Sequence, residues 1–458
     1  MADATHLADM GRPQHLNGAT NQYSIEDICW IADQFAIGEQ ASITPFPGRG
    51  NINLHTYSVV VNGTEFLLQK VNSDVFAMPH RVMGGMLASI DAQRSALESG
   101  RGDGTWEPIE LVFAKNGQPY LDLTDDSGWS VWRMMIRIPE SVAYKSLSEI
   151  GDRDEQLRLA EEIGRGLAIY TDLTSDIDPA TVEGSLPGYR DTQLYFNQFH
   201  SVMAGNRTID QATKWLPADP IFRASTEQHF LVTLPQAECL ARVLDPELKP
   251  FIELVHKQEP FTMGLWTALN DGSIRNTLIH GDTKLENFLF CARTGRVKSL
   301  VDLDTIMPFT WLADYGDMLR SLVNVAGEKE RDLSKVVIDR EVYEAVSRGF
   351  LQSAKQVTEA EIAMMVFSVQ AITLELGLRF LTDYLRGDSY FQLAADDPAD
   401  LNKVRAMVQL TLFQKLSEFA VDAEQRLAKY LVKAPSGISS RPREFGDSEN
   451  AWQDANSR

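Results

Sequence analysis

The sequence predicts an α+β protein of two unlike parts: a five-stranded antiparallel sheet with one inserted helix, then a larger, mainly helical region. Three observations carry this. Asn-Gly pairs at 62–63 and 116–117 each separate two β-rich runs, the strongest short hairpin signal. Between the hairpins a single helix-like stretch, 79–98, opens on Pro79. After Pro139 the apolar residues recur at helical instead of alternating spacing.

Taken in order, residues 1–22 read as a polar tail. Ser24 with Asp27 opens an amphipathic helix through Phe35. "TYSVVV-NG-TEFLLQKV" is the first hairpin, and "EPIELVFAK-NG-QPYLDL-TDDSG-WSVWRMMIRI" supplies three further strands. A first domain of 23–136 and a second of 137–434 follow, with 435–458 as a disordered tail. "DEQLRLAEEIGRGLAIYTDL" is a helix over 154–173. Thr358 and Glu361 form a capping box that opens a long helix with Ile362, Met365, Val369, Ile372 and Leu376 on one stripe.

Bulk properties bound the function. The 458 residues are 44% hydrophobic and 23% charged, a globular composition with material for a large core. A formal charge of -21 argues against nucleic-acid and anionic-membrane partners, because phosphate binding needs a basic footprint. Cys29, Cys239 and Cys291 are far apart, which suggests neither a disulfide framework nor a zinc site. The first 20 residues do not resemble a secretory signal, and no apolar run reaches membrane-spanning length. A cytoplasmic protein with a small-molecule partner is expected.

The motif "LIHGDTKLENFLF" (278–290) sets a polar loop between two apolar flanks, where a scaffold can hold reactive groups still. Its spacing is His280-Gly281-Asp282-x4-Asn287. In phosphoryl transfer an aspartate at such a position takes or orients the acceptor's hydroxyl proton, and an asparagine five residues on binds magnesium. A carboxylate can accept a proton, while a neutral amide oxygen ligates a hard cation without adding charge. The plain alternative is a polar connection in which Asp282 caps a turn. "SLVDLDT" then ends an apolar strand at Asp302, a second ligand for the cation, with Asp304 two residues on as a candidate for the acceptor side. His280 reads as a loop-packing residue.

The β-rich part should hold the nucleotide. Lys70 ends a strand and could reach phosphate, or simply snorkel. Gly48 and Gly50 precede the first strand where backbone could approach phosphate. The backbone of Met134, Met135 and Ile136 is placed at the crossover between the two parts, open to an adenine edge.

"HGDTKLENFLF", "VDLDT" and "DYGDMLRS" resemble the aminoglycoside phosphotransferase/choline kinase superfamily. "LPGYRDT", "FLLQKVN" and "TLELGLRFLTDYLRGDSYF" are most similar to its N-acetylhexosamine 1-kinase branch. The resemblance spans about residues 24–430. It implies a two-lobed protein-kinase-like fold, ATP and Mg2+, and phosphorylation of the anomeric hydroxyl of an amino sugar. On it Asp282 is the base, Asn287 and Asp302 hold magnesium, and Asp314 anchors the loop. Arg379 and Tyr390 become candidates for sugar contacts, with Arg190 and Asp191 a second pair. Glu375 with Arg379 at i,i+4 is the structural alternative for that arginine.

Two departures are expected to matter. Gly84-Gly85 stands where the small-lobe helix should carry an acid for Lys70, leaving Asp91 or Glu98 as substitutes. "GNINLHTY" is one residue longer than the family pattern. Other acceptors (homoserine, choline, another sugar, an aminoglycoside) stay open, as do a non-catalytic nucleotide-binding pseudokinase and a metal-dependent hydrolase. The lack of an acidic cluster outside the motifs disfavours a polycationic acceptor, and the hairpins and Lys70 disfavour the hydrolase.

Overall fold

The computed structural model describes residues 23–38, 41–47, 53, 55–125, 128–391, 393–394 and 396–431. The two expected tails, and with them Gly48 and Gly50, lie outside these.

The first part is a six-stranded antiparallel sheet, one strand more than expected: β1 (Ser42–Pro45), β2 (Thr56–Val61), β3 (Thr64–Lys70), β4 (Glu110–Leu111), β5 (Leu121–Asp125) and β6 (Gly128–Ile136). β1 pairs only with β2, an edge position that tolerates Pro45. The Asn62-Gly63 turn has positive φ at both residues (50° and 83°), which matches the twist of a tight hairpin. The third expected strand shrinks to two residues because β5 pairs Gly128–Trp132 of β6, leaving only Met135 and Ile136 for β4.

Helix α1 (Ile25–Asp33) covers one sheet face, and its Ser24/Asp27 capping box forms as expected. Ile28, Ile31, Leu68, Trp132 and Met134 are buried together there. Helix α2 (Pro79–Glu98), with the expected boundaries, packs Val82, Met83 and Met86 into the main core beside Val131 on the opposite face.

The second part carries α3 (Arg153–Leu173), α4 (Thr192–Met203), α5 (Ile209–Ala212), α6 (Pro220–Thr226), α7 (Gln236–Val243), α8 (Lys249–Thr262) and α9 (Gly264–Asn270). It continues with α10 (Trp311–Val323), α11 (Arg340–Ser353), α12 (Glu359–Ala363), α13 (Met365–Arg386) and α14 (Leu401–Leu431). Short strands β7 (Ser141–Val142), β8 (Thr277–Ile279), β9 (Phe288–Cys291), β10 (Val297–Leu300) and β11 (Met307–Phe309) form two small sheets: β10-β9-β7 and β11-β8. The polar loop 280–287 therefore leaves one small sheet and enters the other.

The Thr358/Glu361 capping box forms but opens only the five-residue α12, and the long helix restarts at Met365. Glu361 is also ion-paired to Arg275 at 2.7 Å, and Ile362 belongs to α12 and not to the long helix. By length and mean hydropathy (1.3) α13 could cross a membrane, contrary to expectation. Its apolar window is 83% buried by neighbouring helices, as a central core helix would be.

Helices α3 and α11 touch backbone to backbone. A Cβ on Gly164 would lie 1.9 Å from the Val346 carbonyl oxygen, and one on Gly349 1.9 Å from that of Glu161. Gly164→Ala should therefore destabilise the protein by roughly 2–3 kcal/mol through overpacking, despite a gain of about 1 kcal/mol in helix propensity. A urea unfolding midpoint no lower than wild type would contradict the close approach.

Candidate active site

The loop after β8 has no strand partner for its first amides, and a carboxylate from α10 supplies one. Asp314 accepts the N–H groups of His280 (2.7 Å) and Gly281 (2.8 Å), and its own carbonyl accepts the Thr283 hydroxyl at 2.6 Å. Burial pushes the Asp314 carboxyl up to about 7, against the two backbone bonds that pull it down. His280 is fully buried with Nε2 2.9 Å from the Val301 carbonyl oxygen, the packing role expected. Burial holds its imidazole below the usual range.

Asp282 emerges from this platform with its side chain one-third exposed, paired to Lys284 at 3.0 Å. Lys284 also reaches Glu286 at 3.0 Å. Burial works against its charge, but these two carboxylates outweigh it and raise its proton affinity. Asn287 donates Nδ2 to the Asp282 carbonyl at 2.7 Å and to its carboxylate at 3.2 Å, so its Oδ1 is the atom that can accept or ligate. The Asn287 carbonyl in turn accepts Val301 N–H at 2.8 Å, so the strand-end segment carrying Asp302 runs beside the loop. Asp302 adopts left-handed backbone (φ 68°), an unfavourable conformation of the kind that concentrates at functional sites. The residue is exposed, yet protein atoms crowd its carboxylate. Desolvation there, reinforced by Asp304 and Asp282, raises it to about 7. One neutral amide oxygen and one carboxylate suit a hard divalent cation completed by phosphate oxygens and water.

Asp304 is placed differently from expectation. Its carboxylate is buried, ion-paired to Arg133 of β6 at 2.5 Å and accepting the Asn53 amide at 2.5 Å, so it does not face an acceptor. Lys70 is also displaced from its expected role. Residues opposite each other in an antiparallel pair share a face. Gln69 is opposite Arg133 and Lys70 opposite Trp132. Gln69 and Arg133 thus face α2 and the cleft, with Gln69 Oε1 accepting Arg133 Nε at 3.0 Å. Lys70 lies on the α1 face, its ammonium 5.0 Å from the Tyr23 ring centroid. Of the two glycines, only Gly85 has a packing cause: a Cβ there would sit 3.1 Å from Ile306 Cβ, so α2 lies close against the segment after Asp304, whereas one on Gly84 would meet nothing within 4 Å. Asp91 and Glu98 are exposed and do not substitute.

Met134, Met135 and Ile136 do not offer free backbone. They pair with Leu68, Leu67 and Phe66 on one side, and Met135 and Ile136 pair with β4 on the other. Val112 N–H also reaches the Met134 carbonyl at 2.8 Å. The crossing between the two parts therefore falls after Ile136, at 137–140.

The second candidate pair is structural. Arg190 is buried, 3.4 Å from both Glu375 and Asp317 and 3.2 Å from the Gly281 carbonyl oxygen. Asp191 caps α4, accepting Leu194 N–H at 2.9 Å. Because Glu375 is taken by Arg190 and by the Thr192 hydroxyl (2.7 Å), it does not pair with Arg379. The Arg379 guanidinium instead lies 4.8 to 5.3 Å from the ring centroids of Tyr195, Tyr189, Phe391 and Tyr390, with Tyr390 Oη at 3.1 Å. These residues line a pocket with about 520 Å³ of empty space, part of it open to solvent. Tyr189, missed from sequence, joins pocket to loop: its hydroxyl donates to the Gly281 carbonyl at 2.7 Å. Asp383, also in the pocket wall, spends its carboxylate on the N–H groups of Ser389, Tyr390 and Phe391.

Known proteins share this chain's family and fold. A model of the phosphotransferase enzyme family matches residues 111–345, just over half of the chain. The structure of a microcompartment-associated aminopropanol kinase is similar with TM-score 0.51 at 16% identity, covering 88% of this chain and 100% of that one. An ethanolamine kinase from Plasmodium vivax (TM-score 0.43, 10% identity, 81% of this chain and 82% of that one) is also similar. So is an ADP-bound aminoglycoside phosphotransferase (TM-score 0.44, 12% identity, 86% and 99%). At 16% identity the first establishes a shared fold and no more.

The Asp314 carboxyl has a testable sign. Its value of about 7 in the folded protein lies above the about 3.9 of an unfolded aspartate, so the unfolded state ionises first as pH rises. The group's contribution to stability is thus full below pH 4 and is lost between about pH 4 and 7, by at most about 4 kcal/mol. Urea unfolding of wild type and Asp314→Asn across this range should show their difference drifting against wild type; a flat difference would contradict it.

Proposed function

Because the chain belongs to the phosphotransferase enzyme family and acts as a phosphotransferase on an alcohol acceptor, we propose that it transfers the γ-phosphate of ATP to the anomeric hydroxyl of an N-acetylhexosamine or a related sugar. The observation that carries the reading is the link from pocket to loop. Tyr189 walls the Arg379 pocket and hydrogen-bonds Gly281, the residue before Asp282. An acceptor seated there would be linked through Tyr189 to the loop that carries Asp282, whose carboxylate is one-third exposed.

The pocket's chemistry favours a neutral polyhydroxy acceptor over an amine. Its free charged donor is Arg379, flanked by Tyr189, Tyr195 and Tyr390, and its one carboxylate, Asp383, is occupied by backbone amides. Aromatic faces cover the apolar side of a sugar ring, while tyrosine hydroxyls and a guanidinium match its oxygens. A cationic acceptor such as choline or an aminoglycoside would meet Arg379 with like charge.

The step needs little from the protein beyond alignment and charge matching. Asp282 orients the acceptor hydroxyl and takes its proton. The hydroxyl oxygen attacks the γ-phosphorus in line, the bond from that phosphorus to the bridging oxygen breaks, and ADP leaves. The Asn287 amide oxygen and the Asp302 carboxylate would hold magnesium, which would supply charge neutralisation for the phosphates. Lys284 holds the Asp282 carboxylate in place through an ion pair at 3.0 Å.

ADP release should be measured with Mg-ATP across N-acetylhexosamines, hexosamines, simple hexoses, homoserine, choline and an aminoglycoside. Activity confined to the sugars is expected, falling at least about 100-fold in Asp282→Asn. Arg379→Ala should raise the acceptor KM roughly 10- to 100-fold and leave that of ATP unchanged. Preferred turnover of choline or an aminoglycoside would sink the sugar reading while leaving the transferase.

A further inference from the structure

We propose that Gln69, Arg133, Asp304 and Asn53 form a clamp between the small sheet and the cleft floor, and that Asp304 is a positioning residue for the nucleotide side of the reaction. The nucleotide part rests on the phosphotransferase reading above; the clamp itself rests on geometry alone.

Four separate stretches of chain meet at the Asp304 carboxylate and its own carbonyl. Arg133, from the middle of β6, ion-pairs one carboxylate oxygen, and the Asn53 amide reaches the other, both at 2.5 Å. Asn53 also accepts Asn72 N–H at 2.9 Å, and its carbonyl accepts the Thr56 hydroxyl at 2.9 Å. It therefore ties the start of β2 to the segment after β3. The Asp304 carbonyl accepts the Ser185 hydroxyl at 2.7 Å, from the segment that leads to Tyr189. Arg133 is itself held, its Nε and Nη2 both on Gln69 Oε1. Side chains of Arg133 and Asp304 are 2% and 5% exposed, so neither is a ligand for anything that enters from solvent.

Asp302 is two residues away on the same short turn. Whatever fixes Asp304 against β6 also sets how far Asp302 stands from the sheet that would hold the nucleotide. A buried ion pair adds little stability over a well-packed apolar pair of similar size, whereas it does define one geometry. Gly85 serves the same end by letting α2 settle on Ile306. The buried cation that joins the sheet to the cleft floor is thus Arg133 of β6, and the acid that holds it comes from the cleft floor instead of from α2.

Arg133→Met, Asp304→Asn and the double variant should be compared with wild type and with Arg133→Lys. Titration calorimetry with Mg-ADP is expected to show affinity lowered about tenfold or more in each single variant. The double should be no worse than the weaker single, and Arg133→Lys should recover part of the loss. The acceptor KM should stay within threefold in all of them. Loss of folded protein lowers the number of binding sites and not the affinity of those left, so instability alone cannot produce this pattern. Unchanged Mg-ADP affinity, or a shift in acceptor KM instead, would overturn the proposal.

Hydrogen exchange of the ligand-free protein separates the two readings. Faster exchange over 66–70, 131–136 and 303–306 together in both single variants supports the clamp, and unchanged exchange there overturns it. Wild type that binds no Mg-ADP would overturn the nucleotide reading, while the exchange result would still judge the clamp.

Discussion

Gly281 is the point on which the large part of the molecule converges. Its N–H goes to Asp314, and its carbonyl accepts from Tyr189 and Arg190. Its φ of 85° lies in the left-handed region, and a Cβ there would stand 2.6 Å from the Thr305 carbonyl oxygen. Only glycine satisfies these demands together. A loop of this kind cannot keep its shape by its own hydrogen bonds, so helices on several sides must do it. Helix α10 brings Asp314; Arg190, just before α4, bridges to α13 through Glu375. Helix α10 can approach α13 because Gly316 leaves room for the Ser368 carbonyl, 2.8 Å from where a Cβ would be.

The charges buried around Gly281 follow from that convergence. Arg190 sits among Asp317, Glu375 and a carbonyl, and Arg320 pairs Asp317 again at 2.6 Å and Glu328 at 3.0 Å. Burial works against the Asp317 carboxyl, but Arg320 and Arg190 hold it below the ordinary aspartate range. Such a network costs desolvation that it only partly regains, so its worth lies in specifying one arrangement. A further consequence reaches the pocket. By occupying Glu375, Arg190 leaves Arg379 one turn along the same helix with aromatic neighbours and no acid.

Much of this was legible in the residues, and the failures have physical causes. Features whose spacing is fixed along the chain folded as expected: a polar loop over 280–287 between two short strands, the Asp314 bonds to it, α2 and the Ser24 cap. Assignments that depended on which way a strand residue faces failed. β3 is flanked by packed structure on both faces, so "FLLQK" shows no alternation, and one position's difference moves the cleft-facing role from Lys70 to Gln69. Arg190 and Arg379 look equivalent in sequence; what separates them is the competition for Glu375, which is a tertiary fact. The capping box at Thr358 was recognised, but the pairing of Glu361 with Arg275, 86 residues away, was not. Tyr189 gave no signal beyond its place beside Arg190.

Three aspartates stand within two short turns at the cleft, and the chain treats each differently. Asp282 is matched by Lys284 and Asp304 by Arg133. Among the described residues Asp302 is in no ion pair. The two matched carboxylates are held by groups of opposite character: a partly exposed lysine for the one that must meet a hydroxyl, a buried arginine for the one that must not move. A carboxylate left unmatched beside two others is costly unless something cationic arrives. The distribution of two fixed cations among three acids therefore already singles out the one position in the cleft where an incoming cation has most to gain.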